Sequence, residues 1–222
     1  MAPNFRNRTP AEIVTENVTF DSAAYVYRGL SWVDYAKRQT SVSALQYAAL
    51  DVRQAIEQLF FEELVMSVGG KLAREEYEAC KGNSTKLKKV IRKLSPDYEK
   101  LISFTQTIMG LLPEAPVLIR WDHSELLKHW GSVSNYIHWA GEPKETSESP
   151  QWFVQGVGDV EHAAMYMWGN MQVGYSGIMM PDQMQPEIRQ AWEAFKSGEI
   201  DADSVRSRAR LALPVLRTRQ GT

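Results

Sequence analysis

The chain has 222 residues, of which 44% are hydrophobic and 23% charged, with a net charge of −2 at pH 7. This is a globular composition, and such a charge balance does not by itself require a nucleic-acid or membrane partner. The single cysteine, Cys80, excludes an internal disulfide and a cysteine-rich zinc site. The sequence contains neither a signal-peptide core nor an uncharged apolar run of about 18 residues, so we expect a cytoplasmic protein without a membrane partner.

Residues 1–40 differ in pattern from the rest of the chain. The stretch 12–20 is rich in β-branched residues and partly alternates, and Asp21-Ser22 is a turn signal. Aromatic and β-branched residues continue through 25–27 and 32–35. This pattern predicts a short N-terminal extended or β arm.

The strongest predicted element is a long helix from Ser41 to Met66, which Gly69-Gly70 ends. Apolar residues recur along it at steps of three and four: Leu45, Ala48, Val52, Ile56, Leu59, Phe60 and Leu64. Arg53 and Glu57 stand four residues apart on this helix and are predicted to pair.

Further helices are predicted from caps, glycines and prolines. They cover 72–80, 86–94, 96–112, a segment starting at Asp122 or Ser124 and ending near Trp139, 186–196, and a last helix capped by Asp203 or Ser204. The predicted fold is therefore mainly α. It comprises an antiparallel helical bundle over 41–140, the N-terminal arm, and a loop with a helical C-terminal extension over 141–222.

The helix over 86–94 is basic and is a candidate nucleic-acid-binding element. Its cations are Lys86, Lys88, Lys89, Arg92 and Lys93. Such a cluster can contact phosphates, although a solvated helix face is the alternative.

Residues 152–180 combine methionine and aromatic side chains with several glycines. Such a segment suits either a partner-binding surface or a core. A helix is predicted near 160–171, while the glycines at 156, 158, 169, 174 and 177 argue against a tight helix throughout.

His138 is the candidate catalytic residue. It lies at the end of a predicted helix, four residues after Ser134, where a half-buried imidazole can act as an acid or base. The alternative is a helix-end histidine that interacts with the C-terminal carbonyls. His123 and His129 are six residues apart, which does not place them on one helical face, so neither a metal nor another cofactor is predicted.

Two stretches, 44–62 and 129–138, resemble the long early helix and the histidine-bearing helix of HEPN-like bacterial proteins. That family consists of small antiparallel helical bundles, commonly dimeric, found in toxin–antitoxin and phage-defence systems. Its active members are metal-independent RNases with an arginine four to six residues before a histidine. His138 matches the histidine, but positions 131–133 are Gly, Ser and Val. The polar residue of the motif corresponds loosely to Ser134 or Asn135.

The resemblance implies a catalytically degenerate, nucleic-acid-associated or scaffolding subunit of a bacterial or mobile-element defence or toxin system. RNA is the favoured nucleic acid, and a homodimer or a protein complex is expected. One alternative is an active metal-independent RNase that uses His138, with Ser134 and Asn135 beside it and Arg53 replacing the missing arginine from across the bundle. Another is a protein–protein interaction subunit without a nucleic-acid role.

Overall fold

A computed structural model describes residues 4–15, 21–68, 73–80, 86, 89–90, 92–93, 96–111, 117–137, 149–175, 179 and 181–210. The fold is mainly helical, as predicted. The helices are α1 (Pro10–Thr15), α2 (Ser22–Gln39), α3 (Val42–Val68), α4 (Arg74–Cys80), α5 (Tyr98–Met109), α6 (His123–Ser134), α7 (Pro150–Val173), α8 (Pro186–Ser197) and α9 (202–210). Two short strands, β1 (Val117–Leu118) and β2 (Gly174–Tyr175), pair in parallel. Within the described ranges, no helix is both long and apolar enough to cross a membrane.

The predicted N-terminal β arm is wrong, because the described part of residues 10–39 forms α1 and α2. Asp21 caps α2 by accepting the backbone N–H of Ala24 at 2.7 Å. Val26, Leu30 and Val33 follow the three-to-four spacing of a helix and are buried. The β-branched and aromatic residues favoured a strand, but packing of this apolar face against α3 determined the outcome.

The long helix α3 confirms the prediction for Ser41 to Met66, since it runs from Val42 to Val68 and buries the predicted apolar residues from Leu45 to Phe60. It packs closely against α2. A Cβ added at Gly29 of α2 would lie 2.8 Å from Cγ2 of Val52, so glycine permits this close approach. At the same crossing, Asp51 of α3 is 4% exposed and pairs with Arg28 of α2.

Helix α7 extends far beyond the segment predicted near 160–171, because it begins at Pro150 after a cap at Ser149. Gly156 does not interrupt it. The side chains of Tyr136 and Leu45 instead pack against the helix where that glycine lacks a Cβ. The core interpretation of the methionine and aromatic segment accounts for most of its described members. Met167 is fully buried, and several others pack partly buried on the core: Trp152, Phe153, Tyr166, Trp168 and Met171.

The main hydrophobic core includes buried side chains from α1, α2, α3, α6 and α7. It therefore draws on all three of the predicted segments 1–40, 41–140 and 141–222. A smaller cluster joins α5 to α8 and α9 through residues such as Phe104, Trp192 and Val205. Helix α5 touches both clusters, because Tyr98 and Ile102 belong to the main core.

Several predicted helix ends shift. Helix α5 begins at Tyr98 after Asp97, two residues later than expected, and α6 ends at Ser134 instead of near position 139. Asp122 is the N-cap of α6, which confirms one of the two predicted starts. Helix α8 ends as predicted, at Gly198 with a φ of 83°. The last helix is capped by Asp201, which accepts the N–H of Ser204 at 2.8 Å, and not by Asp203 or Ser204.

Candidate functional site

The residues predicted to be catalytic lie around the end of α6, except that His138 is outside the described residues. Ser134 is the last residue of α6, and its hydroxyl donates to the carbonyl oxygen of Trp130 at 2.6 Å. Asn135 follows in the C-cap position with an exposed side chain. The Ser134 hydroxyl is therefore used in a local helix bond, of the kind that serine often makes one turn back.

Arg53 packs against α6 one turn before Ser134. Its Nε lies 3.1 Å from Oε1 of Glu57, which confirms the predicted pair. The same Glu57 oxygen accepts the indole N–H of Trp130 at 3.0 Å, and the guanidinium of Arg53 lies 4.7 Å from the centre of that ring. The cation is thus held by a carboxylate and an aromatic face at once.

The predicted nucleic-acid-binding cations are exposed wherever the structure describes them. Lys86, Lys89, Arg92 and Lys93 are in helical conformation, while Lys88 is outside the described residues. Lys93 donates to Glu76 of α4 at 2.6 Å, but 70% of its side chain remains exposed. An ion pair at such an exposed position holds the lysine only weakly.

A cleft of about 420 Å³ opens beside this basic stretch. Its walls come from the second half of α3, the basic stretch, the start of α5 and the residues that lead into α6. Arg92 lines it together with Tyr98, Trp121, His123 and Glu63. Sequence reasoning did not predict this cleft.

A histidine–carboxylate pair lies in the wall of the cleft. Nε2 of His123 is hydrogen-bonded to Oε2 of Glu63, and the two side chains are only 11% and 7% exposed. The ring of Phe60 meets the imidazole edge-on, with the ring centres 5.6 Å apart. A carboxylate that accepts one ring N–H fixes the tautomer and orientation of the imidazole, which suits it for hydrogen bonding or proton transfer through Nδ1.

The other charged groups of the cleft differ in how firmly they are held. Arg120 donates to Glu99 at 2.5 Å, but both side chains are more than half exposed, so water competes with this pair. The carboxylate of Asp122 accepts two backbone N–H groups at the start of α6, at 2.8 and 3.2 Å. Arg92 makes no ion pair with any residue that the structure describes. The indole N–H of Trp121 is buried and has no hydrogen-bond partner within the same ranges.

A second polar cluster lies where α6 packs on α7. His129 is 7% exposed, and its ring centre lies 5.2 Å from that of His162 and 5.0 Å from that of Tyr166. Burial lowers the pKa of His129, Glu125 opposes this effect, and the neighbouring His162 adds to it. Burial also raises the pKa of Tyr166. Across the described ranges, no three histidine, cysteine or acidic side chains come together to hold a metal ion.

The fold and the cleft define a mainly helical protein with a polar, partly aromatic pocket that contains a histidine–glutamate pair and an exposed arginine. Comparison with family models, curated proteins and solved structures gave no match.

Proposed function

We propose that this protein is a HEPN-like, catalytically degenerate subunit that associates with RNA in a bacterial or mobile-element defence or toxin system. The proposal includes an antiparallel bundle over 41–140 and a homodimer or a larger protein complex. The observation that carries its RNA-binding part is the run of exposed cations at Lys86, Lys89 and Arg92, of which Arg92 lines the cleft. Exposed cations on one short stretch are suited to phosphate contacts, because each displaces counterions from the nucleic acid.

The surroundings of Arg53 support the part of the proposal in which the protein is catalytically degenerate. An RNase of this class needs a cation that stabilises the charge developing on the phosphate. Positions 131–133 contain no arginine, and Arg53, the substitute candidate, is held by Glu57 and stacked on Trp130. Moving its guanidinium to a phosphate would break both contacts.

The RNA-binding part is tested by fluorescence anisotropy with a labelled single-stranded RNA at several salt concentrations. The triple variant Lys86→Gln, Lys89→Gln, Arg92→Gln should bind more weakly. If all three side chains contact phosphates, the slope of log affinity against log salt should fall in magnitude by about 2, at roughly 0.7 per contact on single strands. Three further lysines lie in surface ion pairs elsewhere and provide a triple glutamine variant of equal net charge: Lys37, Lys128 and Lys196.

The control variant should retain the affinity and salt slope of the wild type. If both variants behave alike, or if wild-type binding does not depend on salt, the basic stretch is an ordinary solvated face. The protein–protein interaction alternative would then replace the RNA proposal.

The proposed lack of catalytic activity is tested by incubating the wild-type protein and the His138→Ala variant with labelled RNA in the presence of a chelator. We expect no cleavage by either protein. Cleavage by the wild type that is lost in His138→Ala would establish the active RNase alternative instead.

A further inference from the structure

The size of the cleft at His123 suits a small molecule. Its volume is about 420 Å³, and small-molecule sites typically occupy roughly 300 to 1,000 Å³. It is too small to enclose a folded partner or a length of nucleic acid, but it would take one nucleotide unit.

The charged side chains that line the cleft are three carboxylates and two arginines, besides His123, and they differ in whether a described residue pairs with them. Each carboxylate in its wall already has a donor: Glu63 has His123, Glu99 has Arg120, and Asp122 has two backbone N–H groups. Arg92, in contrast, is exposed and makes no ion pair with the described residues. A guanidinium presents a planar fork of N–H donors that matches a phosphate. Within the cleft, Arg92 is therefore the group suited to a ligand that brings acceptors and negative charge.

The remaining wall of the cleft is apolar. Tyr98, Ile102 and Trp121 line it, and each is less than a tenth exposed. A flat ring packs well against such side chains.

We propose that this cleft binds a nucleoside 5′-monophosphate, with the phosphate on Arg92 and the base against Tyr98 and Trp121. The chemistry that both possible sources share is a ribose 5′-phosphomonoester whose sugar carries a flat base. Its source is either a free nucleotide or the 5′-phosphorylated end of an RNA, and only the RNA source rests on the function proposed above. The His123–Glu63 pair lies in the wall of the cleft, where its hydrogen bond fixes the orientation of the imidazole.

The first experiment is isothermal titration of the full-length protein with adenosine 5′-monophosphate, with adenosine and inorganic phosphate as separate probes. We expect the nucleotide to bind, and both fragments to bind at least about tenfold more weakly, since hydrogen bonds to charged groups contribute at this level. Arg92→Gln should weaken nucleotide binding by a similar factor. Lys128→Gln, which removes an exposed cation from α6 outside the cleft, should leave it unchanged.

Each contrary result overturns the inference. Equal binding of adenosine and the nucleotide would show that the phosphate contributes nothing to binding in the cleft. Equal effects of Arg92→Gln and Lys128→Gln would show general charge attraction, and no heat at millimolar nucleotide would show that the cleft does not take this ligand. Circular dichroism of both variants checks that they are folded, which the exposure of both side chains leads us to expect.

The second experiment separates the two sources and also separates this inference from the proposed function. Binding of a 5′-phosphorylated oligoribonucleotide is compared with binding of its 5′-hydroxyl counterpart. Preference for the phosphorylated end, lost in Arg92→Gln but kept in a Lys86→Gln, Lys89→Gln double variant, identifies the RNA end as the source. Nucleotide binding without RNA binding refutes the proposed function and leaves the cleft proposal standing. RNA binding that shows neither a preference for the phosphorylated end nor binding of the free nucleotide refutes the cleft proposal and leaves the proposed function standing.

Discussion

Gly156 and Gly158 lie two residues apart in α7 but have opposite surroundings. A Cβ at Gly156 would lie 2.8 Å from Cε1 of Tyr136 and 2.9 Å from Cδ2 of Leu45. Both neighbours are buried, and the hydroxyl of Tyr136 donates to Asp159 at 2.6 Å, so the ring is held in place. A Cβ at Gly158 would meet nothing within 4 Å.

The substitution Gly156→Ala should therefore lower the free energy of unfolding, whereas Gly158→Ala should raise it. Alanine is favoured over glycine inside a helix by about 1 kcal/mol at either position. At Gly156 an overpacking cost of about 1 to 3 kcal/mol opposes this gain. Because the propensity term is common to both, the difference between the two variants isolates the packing cost, at about 1 to 3 kcal/mol.

Urea unfolding followed by circular dichroism measures both variants beside the wild type. Gly169→Ala in the same helix is a second control, since nothing lies within 4 Å of its Cβ position. If Gly156→Ala proved as stable as Gly158→Ala, α7 would not pack against Tyr136 and Leu45 as described.

Three further predictions concern charged groups. Arg28→Ala should cost about 3 to 5 kcal/mol in urea unfolding, because it leaves the buried carboxylate of Asp51 without its cation, and a loss below about 1 kcal/mol would mean that water reaches that carboxylate. Arg53→Ala should cost about 1 kcal/mol, since both the pair with Glu57 and the ring contact are lost, and an unchanged melting temperature would contradict these contacts. Burial lowers the pKa of His129, so the folded state binds this proton less readily than the unfolded state. Stability should therefore fall as pH drops below about 6.5 and level off below the folded pKa, and His129→Gln should flatten this dependence in urea titrations between about pH 7.5 and pH 5.

The candidate site could be predicted from the sequence only in part. The pairing of Arg53 with Glu57 followed from their spacing on one helix, and Arg92 was identified from the local run of cations. His123 and Glu63 are 60 residues apart, and neither has a local pattern that indicates the other. The stack of Arg53 on Trp130 likewise depends on how two distant helices pack.

The sequence by itself determined the elements whose signals are local. The apolar spacing of α3 and the proline and glycine that bound α8 were sufficient, because a helix repeats every 3.6 residues and its ends need particular caps. Only the tertiary structure decided the outcome where propensity and packing compete. Residues 22–39 have side chains that favour strands but form a helix on α3. Gly156 lies inside a helix although glycine disfavours one, and neighbouring side chains fill the space that a Cβ there would occupy. The cleft also belongs to the tertiary structure, since its walls come from segments that meet only when the core has formed.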